Sequence, residues 1–187
     1  MQGRLSPLVN NQIQSFPFNN WLEEFPLARK LGLSCIEWTL DYPKFHQNPF
    51  LLEKSKKHIL KASETHHIKI PSITLDCCMQ RPFWKAKSEL FFNELINDFK
   101  LIINAASSIG INILVIPLVD NGSINSEKEF KILKSTLLSF SEILNQRQIK
   151  IAFESDYAPS ILKNFISHFE KDLFGINYDS GNSASLG

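Results

Sequence analysis

The sequence predicts an α/β fold: a parallel (β/α)8 barrel that is incomplete, with about six βα units present. The first observation is a pattern of short apolar run, polar loop and helix-like stretch, which recurs every roughly 30 to 40 residues. The second is that two helix-like stretches run into a glycine just before a strand-like run. The third is that several strand-like runs are followed by a carboxylate, and the carboxyl ends of barrel strands are where active sites form.

Five strand-like runs follow one another along the chain, and four of them are apolar without clean alternation, as expected for strands buried on both faces. A further, shortened strand is predicted at the very start of the sequence, within residues 1–5. The other five runs are residues 35–39, 68–75, 111–119, 149–154 and 175–179.

Amphipathic stretches separate the strand-like runs. Residues 90–109 and 130–144 each carry apolar side chains three and four positions apart, which indicates one buried stripe on a helix. Residues 22–31 and 90–109 end at Gly32 and Gly110. Glycine adopts the left-handed conformation without a Cβ penalty, so these positions are predicted helix ends.

A chain of 187 residues is long enough for one domain. A complete (β/α)8 barrel needs about 250 residues. Residues 1–187 are therefore predicted to form a single partial barrel domain that holds strands one to six of eight. An open doubly wound sheet is the alternative that the hydrophobic pattern leaves open.

Composition narrows the range of partners. The 20 Lys and Arg residues nearly balance the 19 Asp and Glu residues, for a net charge of +1, so no nucleic-acid or membrane-surface partner is expected. No leader and no membrane span is recognised, and three cysteines cannot form a disulfide framework. A cytoplasmic location is expected. Adjacent Cys77 and Cys78 suggest a soft-metal or redox site, although packing as small hydrophobes after a strand is the favoured reading.

Carboxylates at the strand ends are the candidate functional residues. Asp41, Asp76 and Asp120 each follow a strand, where an aspartate can equally start a turn or cap a helix. Glu154 is a poor capping residue in an apolar setting, where a carboxylate must be paired or bind metal. Neighbouring strands lie about 4.8 Å apart, so Glu154 and Asp179 are expected to ligate one ion together. Oxygen ligands favour a hard divalent cation, Mn²⁺ or Mg²⁺.

These residues resemble the xylose-isomerase-like sugar phosphate isomerases and epimerases, a family that shares its barrel with endonuclease IV. The resemblance spans nearly the whole chain and depends on the order and spacing of several short motifs. The motifs are MQGRLSP at 1–7, FPLARKLG at 25–32 ahead of IEW at 36–38, IPLVD at 116–120, FE at 153–154 and NYDSGN at 177–182.

The resemblance implies a divalent metal held by Glu, Asp, His and Glu from the ends of strands five to eight. Glu154 matches the first of these ligands and Asp179 the second, whereas the His and the last Glu have no counterpart within the 187 residues. It also implies a reaction in which a proton moves next to a carbonyl through an enediolate that the metal stabilises. Glu154 would then be a catalytic acid or base as well as a ligand.

Four further residues are candidates for binding a small sugar substrate. Arg4 ends the predicted first strand, and Glu37 lies within the strand at 35–39, where it could face the inside of the barrel; a structural ion pair is the alternative for both. Asp120 follows the strand at 111–119, and Asn182 either contacts substrate or starts the next helix. The alternative functions are an endonuclease IV-like phosphodiesterase, which needs a histidine-rich trinuclear zinc site, and a truncated remnant without catalysis. The isolated chain is expected to bind Mn²⁺ weakly and to show no measurable isomerase activity.

Overall fold

Five parallel strands in chain order form one sheet in the residues that a computed structural model describes, which are 3–9, 11 and 15–179. Each strand pairs in parallel with the next one along the chain. This arrangement confirms the predicted parallel α/β fold. The strands are β1 (Trp38–Thr39), β2 (Ser72–Thr74), β3 (Ile113–Pro117), β4 (Lys150–Glu154) and β5 (Phe174–Ile176).

Helices fill the connections between the strands, as a parallel sheet requires. Four short 3-10 turns accompany them, at Phe45–Gln47, Pro49–Leu51, Phe83–Lys85 and Asp120–Gly122. In the ranges that the structure describes, no helix is both long and apolar enough to cross a membrane. The helices are α1 (Glu24–Lys30), α2 (Glu53–His66), α3 (Asp76–Gln80), α4 (Glu89–Ile109), α5 (Glu127–Ser139), α6 (Ser141–Gln146) and α7 (Pro159–Ile166).

Helix boundaries follow the local signals in the sequence. The Ser88 hydroxyl accepts a hydrogen bond from the Phe91 amide at the start of α4, and Gly110 ends that helix with φ = 80°. Gly32, just beyond α1, has φ = 76°. Both predicted glycine stops are thus confirmed. The helix predicted over 130–144 is instead two helices that meet at Phe140, whose ring packs 5.2 Å from that of Phe99.

The two faces of the sheet differ in character. The outer face carries large, fully buried apolar side chains that pack under the helices, such as Ile73, Ile116 and Phe153. The inner face carries the alternate residues of the same strands, which are small or polar, such as Thr74 and Ala152. Small residues such as alanine and valine on the inner face obscure this alternation in the sequence.

The N-terminal segment docks on a buried carboxylate. Glu24 is fully buried in α1 and accepts hydrogen bonds from the Gly3 and Leu5 amides, at 2.9 and 3.1 Å, and from the Ser6 hydroxyl. The described part of the predicted first strand, residues 3–5, is therefore a turn, because its amides donate to Glu24 rather than to another strand. Met1 and Gln2 lie outside the described residues.

Replacing Glu24 by glutamine is expected to lower the free energy of unfolding by roughly 1–3 kcal/mol. The glutamine keeps the shape of the side chain but leaves one acceptor oxygen for three donors. Urea denaturation of both proteins measures the difference. Neighbouring Glu23 is exposed, so Glu23→Gln is the matched control and should change stability by less than about 0.5 kcal/mol. Equal effects of the two substitutions would contradict this account of the N-terminal segment.

Candidate functional site

The carboxyl ends of β4 and β5 bring Glu154 and Asn177 together. The strand register pairs Phe153 with Ile176, so the next residues of the two strands stand side by side. The Asn177 side-chain amide donates a 2.7 Å hydrogen bond to Glu154 Oε2. Asp179 follows Asn177 by two residues, the spacing that keeps side chains on one face of an extended chain. The two predicted ligands, Glu154 and Asp179, are therefore neighbours at one edge of the sheet.

Four carboxylates interact at this edge. The pKa of half-buried Glu154 is raised, mainly because burial removes its carboxylate from water. Asp179, Glu37 and Asp156 raise it further through their negative charge, whereas the Asn177 hydrogen bond lowers it. A bound divalent cation would relieve this repulsion.

A cleft of about 810 Å³ opens at the same edge. Glu154 and Asp179 line it on the strand side, and residues of α7 and the loop before it line the other side, including Tyr157 and Lys163. The volume lies within the usual range of small-molecule sites. This edge therefore combines two carboxylates with room for a small polar molecule.

Glu154 and Asp179 suit a hard divalent cation, since Mg²⁺ is commonly bound through one or two carboxylates with water or substrate completing its coordination. Among the residues that the structure describes, no group of three or more His, Cys, Asp or Glu side chains is placed to hold a metal ion. The donor set present here is thus compatible with an open site that has two protein carboxylates.

Glu37 lies on the inner face of the sheet, just before β1. Its two carboxylate oxygens accept hydrogen bonds from the Ser72 and Thr74 hydroxyls of β2, at 2.7 and 2.6 Å. These hydroxyls fix the orientation of Glu37. The negative charge of Glu37 is one of the causes of the raised pKa of Glu154. The structure therefore places Glu37 and Asp179, two of the predicted site residues, close enough to Glu154 for their negative charges to raise its pKa.

Two of the remaining predicted substrate contacts, Arg4 and Asp120, are not among the residues that line the cleft. Arg4 is exposed in the turn that Glu24 holds. Asp120 is exposed and starts the 3-10 turn after β3, with φ = 49°. Asn182 lies outside the described residues.

Asp41 and Asp76, two of the other aspartates that follow strands, are both buried. Buried Asp41 accepts hydrogen bonds from the Phe16 amide at 2.7 Å and from the Gln80 side-chain amide at 3.0 Å. Asp76 is the first residue of α3, where a negative charge interacts favourably with the helix dipole. Asp41 therefore binds segments 25 and 39 residues away rather than its own turn. Asp76 occupies the first helical position of α3, whereas the capping position belongs to Leu75.

Gln80 is a residue of the site region that the sequence did not indicate. Its side chain donates to Asp41 and accepts from the Tyr42 amide at 2.6 Å, while its backbone carbonyl accepts from the Asn121 side chain at 3.1 Å. It thereby ties together the loops that follow β1, β2 and β3. An isolated glutamine carries no local signal for such tertiary bonds.

The raised pKa of Glu154 predicts a pH-dependent gain of stability in Glu154→Gln. The folded protein holds the Glu154 proton more tightly than the unfolded chain does, so folding loses stability as the pH rises through the raised pKa. Glutamine carries no charge and removes that loss. The variant should melt at a higher temperature than the parent near pH 7, and the difference should vanish below about pH 4. Differential scanning calorimetry checks this, and a lower melting temperature of the variant at pH 7 would contradict it.

The fold and this edge can be compared with known proteins. No protein-family model matches the chain. Among curated proteins, inosose isomerase of Bacillus velezensis is 24% identical over 190 residues, which cover 96% of this chain and 64% of that protein. The chain thus spans less than two thirds of this relative's length.

Solved structures with the same fold include a xylose isomerase-like TIM barrel protein of Mycobacterium smegmatis in complex with magnesium. It superposes with a TM-score of 0.64 at 16% identity over 89% of this chain and 58% of the other. A D-psicose 3-epimerase, crystallised in the presence of D-fructose, gives a TM-score of 0.66 at 11% identity, over 83% of this chain and 56% of the epimerase chain. The predicted resemblance is confirmed at the level of the fold: the chain has the xylose isomerase-like TIM-barrel fold in incomplete form.

Proposed function

We propose that Glu154 and Asp179 belong to the active site of a metal-assisted sugar isomerase or epimerase. The observation that carries the proposal is the pair of carboxylates, Glu154 and Asp179, at the ends of adjacent parallel strands beside a cleft of about 810 Å³. Both are proposed ligands of Mn²⁺ or Mg²⁺. The magnesium complex of a structural neighbour supports a divalent ion in this fold. The three free cysteines support the cytoplasm as the place of action.

The proposed substrate is a small polyhydroxy ketone, a sugar or sugar phosphate. The names of the relatives support this class, since one is an inosose isomerase and another a D-psicose 3-epimerase. The polar inner face supports it as well, because the carboxylate of Glu37 can accept hydrogen bonds from sugar hydroxyls. For a substrate that extends beyond this cleft, Arg4, Asp120 and Asn182 are proposed as further contacts.

Glu154 is the proposed catalytic residue. Glu154 lines the cleft beside Asp179, so its position suits it to take a proton from a carbon next to the ketone and return it. Asn177 holds the carboxylate in a fixed orientation through its hydrogen bond to Oε2. A divalent cation, when bound, would stabilise the negative charge that develops on the carbonyl oxygen.

Ligand binding tests this function. Saturation-transfer NMR of the 187-residue chain with D-fructose is expected to show a signal that depends on Mg²⁺ and is lost in Glu154→Gln. Glu64→Gln, the same chemical change at an exposed position of α2, is the control and should retain the signal. If D-fructose binds equally well without Mg²⁺ and equally well to Glu154→Gln, the proposed function is overturned.

A further inference from the structure

One asparagine of the chain is followed directly by a glycine. Asn121 and Gly122 form this pair, and the sequence contains no other. Asparagine is a chemically labile residue. It is most labile before glycine, because glycine has no Cβ to hinder the approach of its backbone nitrogen to the asparagine side chain. Spontaneous loss of a side-chain amide is therefore expected first at Asn121.

Asn121 joins two loops at the carboxyl end of the sheet. Its side-chain amide donates hydrogen bonds to the carbonyls of Met79 and Gln80, at 3.2 and 3.1 Å. The Lys85 side chain donates a 2.8 Å hydrogen bond to the Asn121 backbone carbonyl. Asn121 lies in the 3-10 turn after β3 and is exposed to solvent. The link between the loops after β2 and β3 thus depends on an amide that water can reach.

We propose that Asn121 is a site of spontaneous deamidation, which breaks this link permanently. In the first step the Gly122 backbone nitrogen bonds to the Asn121 Cγ atom, the Cγ–Nδ2 bond breaks, and the side-chain nitrogen leaves as ammonia with the Gly122 amide proton. In the second step water opens the resulting five-membered ring at either carbonyl carbon, which gives aspartate or isoaspartate at position 121. No atom is oxidised or reduced, and water is the only co-reactant.

The 3-10 turn controls the first step. The Gly122 amide donates a 2.8 Å hydrogen bond to the Val119 carbonyl, so the attacking nitrogen is engaged while the turn is closed. The turn is short and begins at Asp120 with φ = 49°, a conformation that is uncommon for residues other than glycine. Local opening of a surface turn leaves the rest of a fold intact. The reaction is therefore expected in the folded chain, at a rate set by the opening of this turn.

The product does not fit the closed arrangement. A carboxylate at position 121 has no hydrogen to donate, so the carbonyls of Met79 and Gln80 would face a negative charge in place of a donor. Isoaspartate also inserts one more carbon into the backbone next to Gly122. The turn has little room for it, since a Cβ atom built on Gly122 would lie 2.6 Å from the Pro117 carbonyl oxygen. Deamidation should thus loosen the loops after β2 and β3.

Peptide mapping by tandem mass spectrometry tests the proposal on the folded 187-residue chain, incubated at mildly alkaline pH. Asn121 is expected to exchange its NH2 group for OH before any other asparagine, including Asn125, which precedes a serine. Lys85→Met should accelerate the conversion severalfold, because it removes the hydrogen bond to the Asn121 carbonyl and so favours the open turn. Lys87→Met changes an exposed lysine nearby and should leave the rate unchanged.

Variants that carry the charge of the product test the effect on the loops. Asn121→Asp is expected to speed hydrogen exchange of the Gly122 and Ser123 amides, which donate within the turn, by about tenfold or more. Asn125→Asp adds the same charge at an exposed position of the following loop and should leave that exchange within about twofold of the parent.

Two results would overturn the proposal. One is conversion of another asparagine ahead of Asn121 in the folded chain. The other is equal exchange of the turn amides in Asn121→Asp and Asn125→Asp. Neither measurement depends on the proposed metal site at Glu154.

Discussion

Replacing Glu154 by glutamine is expected to abolish measurable Mn²⁺ binding by the 187-residue chain. Only Glu154 and Asp179 are proposed as protein ligands here, so the substitution removes one of two negatively charged donors. The Asn177 amide can still donate to the glutamine oxygen, which keeps the side chain in place. The loss should therefore come from charge and coordination rather than from unfolding. Electron paramagnetic resonance of free Mn²⁺ measures the binding directly.

Two control variants sharpen this measurement. Asp179→Asn should weaken Mn²⁺ binding in the same way, because it removes the other proposed ligand. Glu64→Gln removes an equal charge from the exposed face of α2 and should leave binding within about twofold of the parent, since long-range effects of an exposed charge are screened. Unchanged Mn²⁺ binding in Glu154→Gln would refute the proposed ligand pair.

Replacing Phe153 by alanine is expected to lower the free energy of unfolding by roughly 3–5 kcal/mol. The ring is fully buried beneath the outer helices, with the ring centroids of Phe165 and Phe169 each 5.0 Å away. Removing it leaves a cavity in the layer that joins β4 to α7. Since Phe153 precedes Glu154, the same packing also anchors the strand end that presents the site.

Urea denaturation measures the Phe153 effect. Leu90→Ala is the control, because Leu90 lies in α4 with 83% of its surface exposed and should cost little when truncated. A loss below about 1 kcal/mol for Phe153→Ala would contradict the described core.

Local signals in the sequence were sufficient for the order of the five strands, although the described part of the strand predicted at residues 1–5 is a turn and the helix predicted over 130–144 is two helices. Gly32 and Gly110 marked helix ends because only glycine takes their left-handed backbone without strain. Glu154 was predicted as a ligand because glutamate is a poor capping residue after an apolar strand, and Asp179 because the carboxyl ends of neighbouring parallel strands lie at the same edge. Strand bounds were less accurate: β2 covers Ser72–Thr74 rather than the whole apolar run from 68 to 75. Hydrogen bonding to the neighbouring strands decides where a strand ends, whereas an apolar run can continue beyond it.

Local signals in the sequence did not predict the contacts between distant segments of the chain. Glu24 sits in α1 and binds the amides of residues 3 and 5, and Glu37 binds hydroxyls of β2 more than 30 residues away. Gln80 bridges three loops in the same manner. In each case the side chain is defined by tertiary partners, and its neighbours in the sequence give no hint of them.

Paramagnetic broadening of amide resonances by Mn²⁺ tests the central claim most directly, because it locates the ion on the intact chain. If Glu154 and Asp179 are the ligands, ¹⁵N–¹H spectra at substoichiometric Mn²⁺ should lose the amide signals around 154–156 and 177–179 first. Amide signals of residues near the exposed carboxylates of α2 and α5 should persist. Broadening centred on those helices, or spread evenly over the chain, would contradict a metal site at the carboxyl ends of β4 and β5.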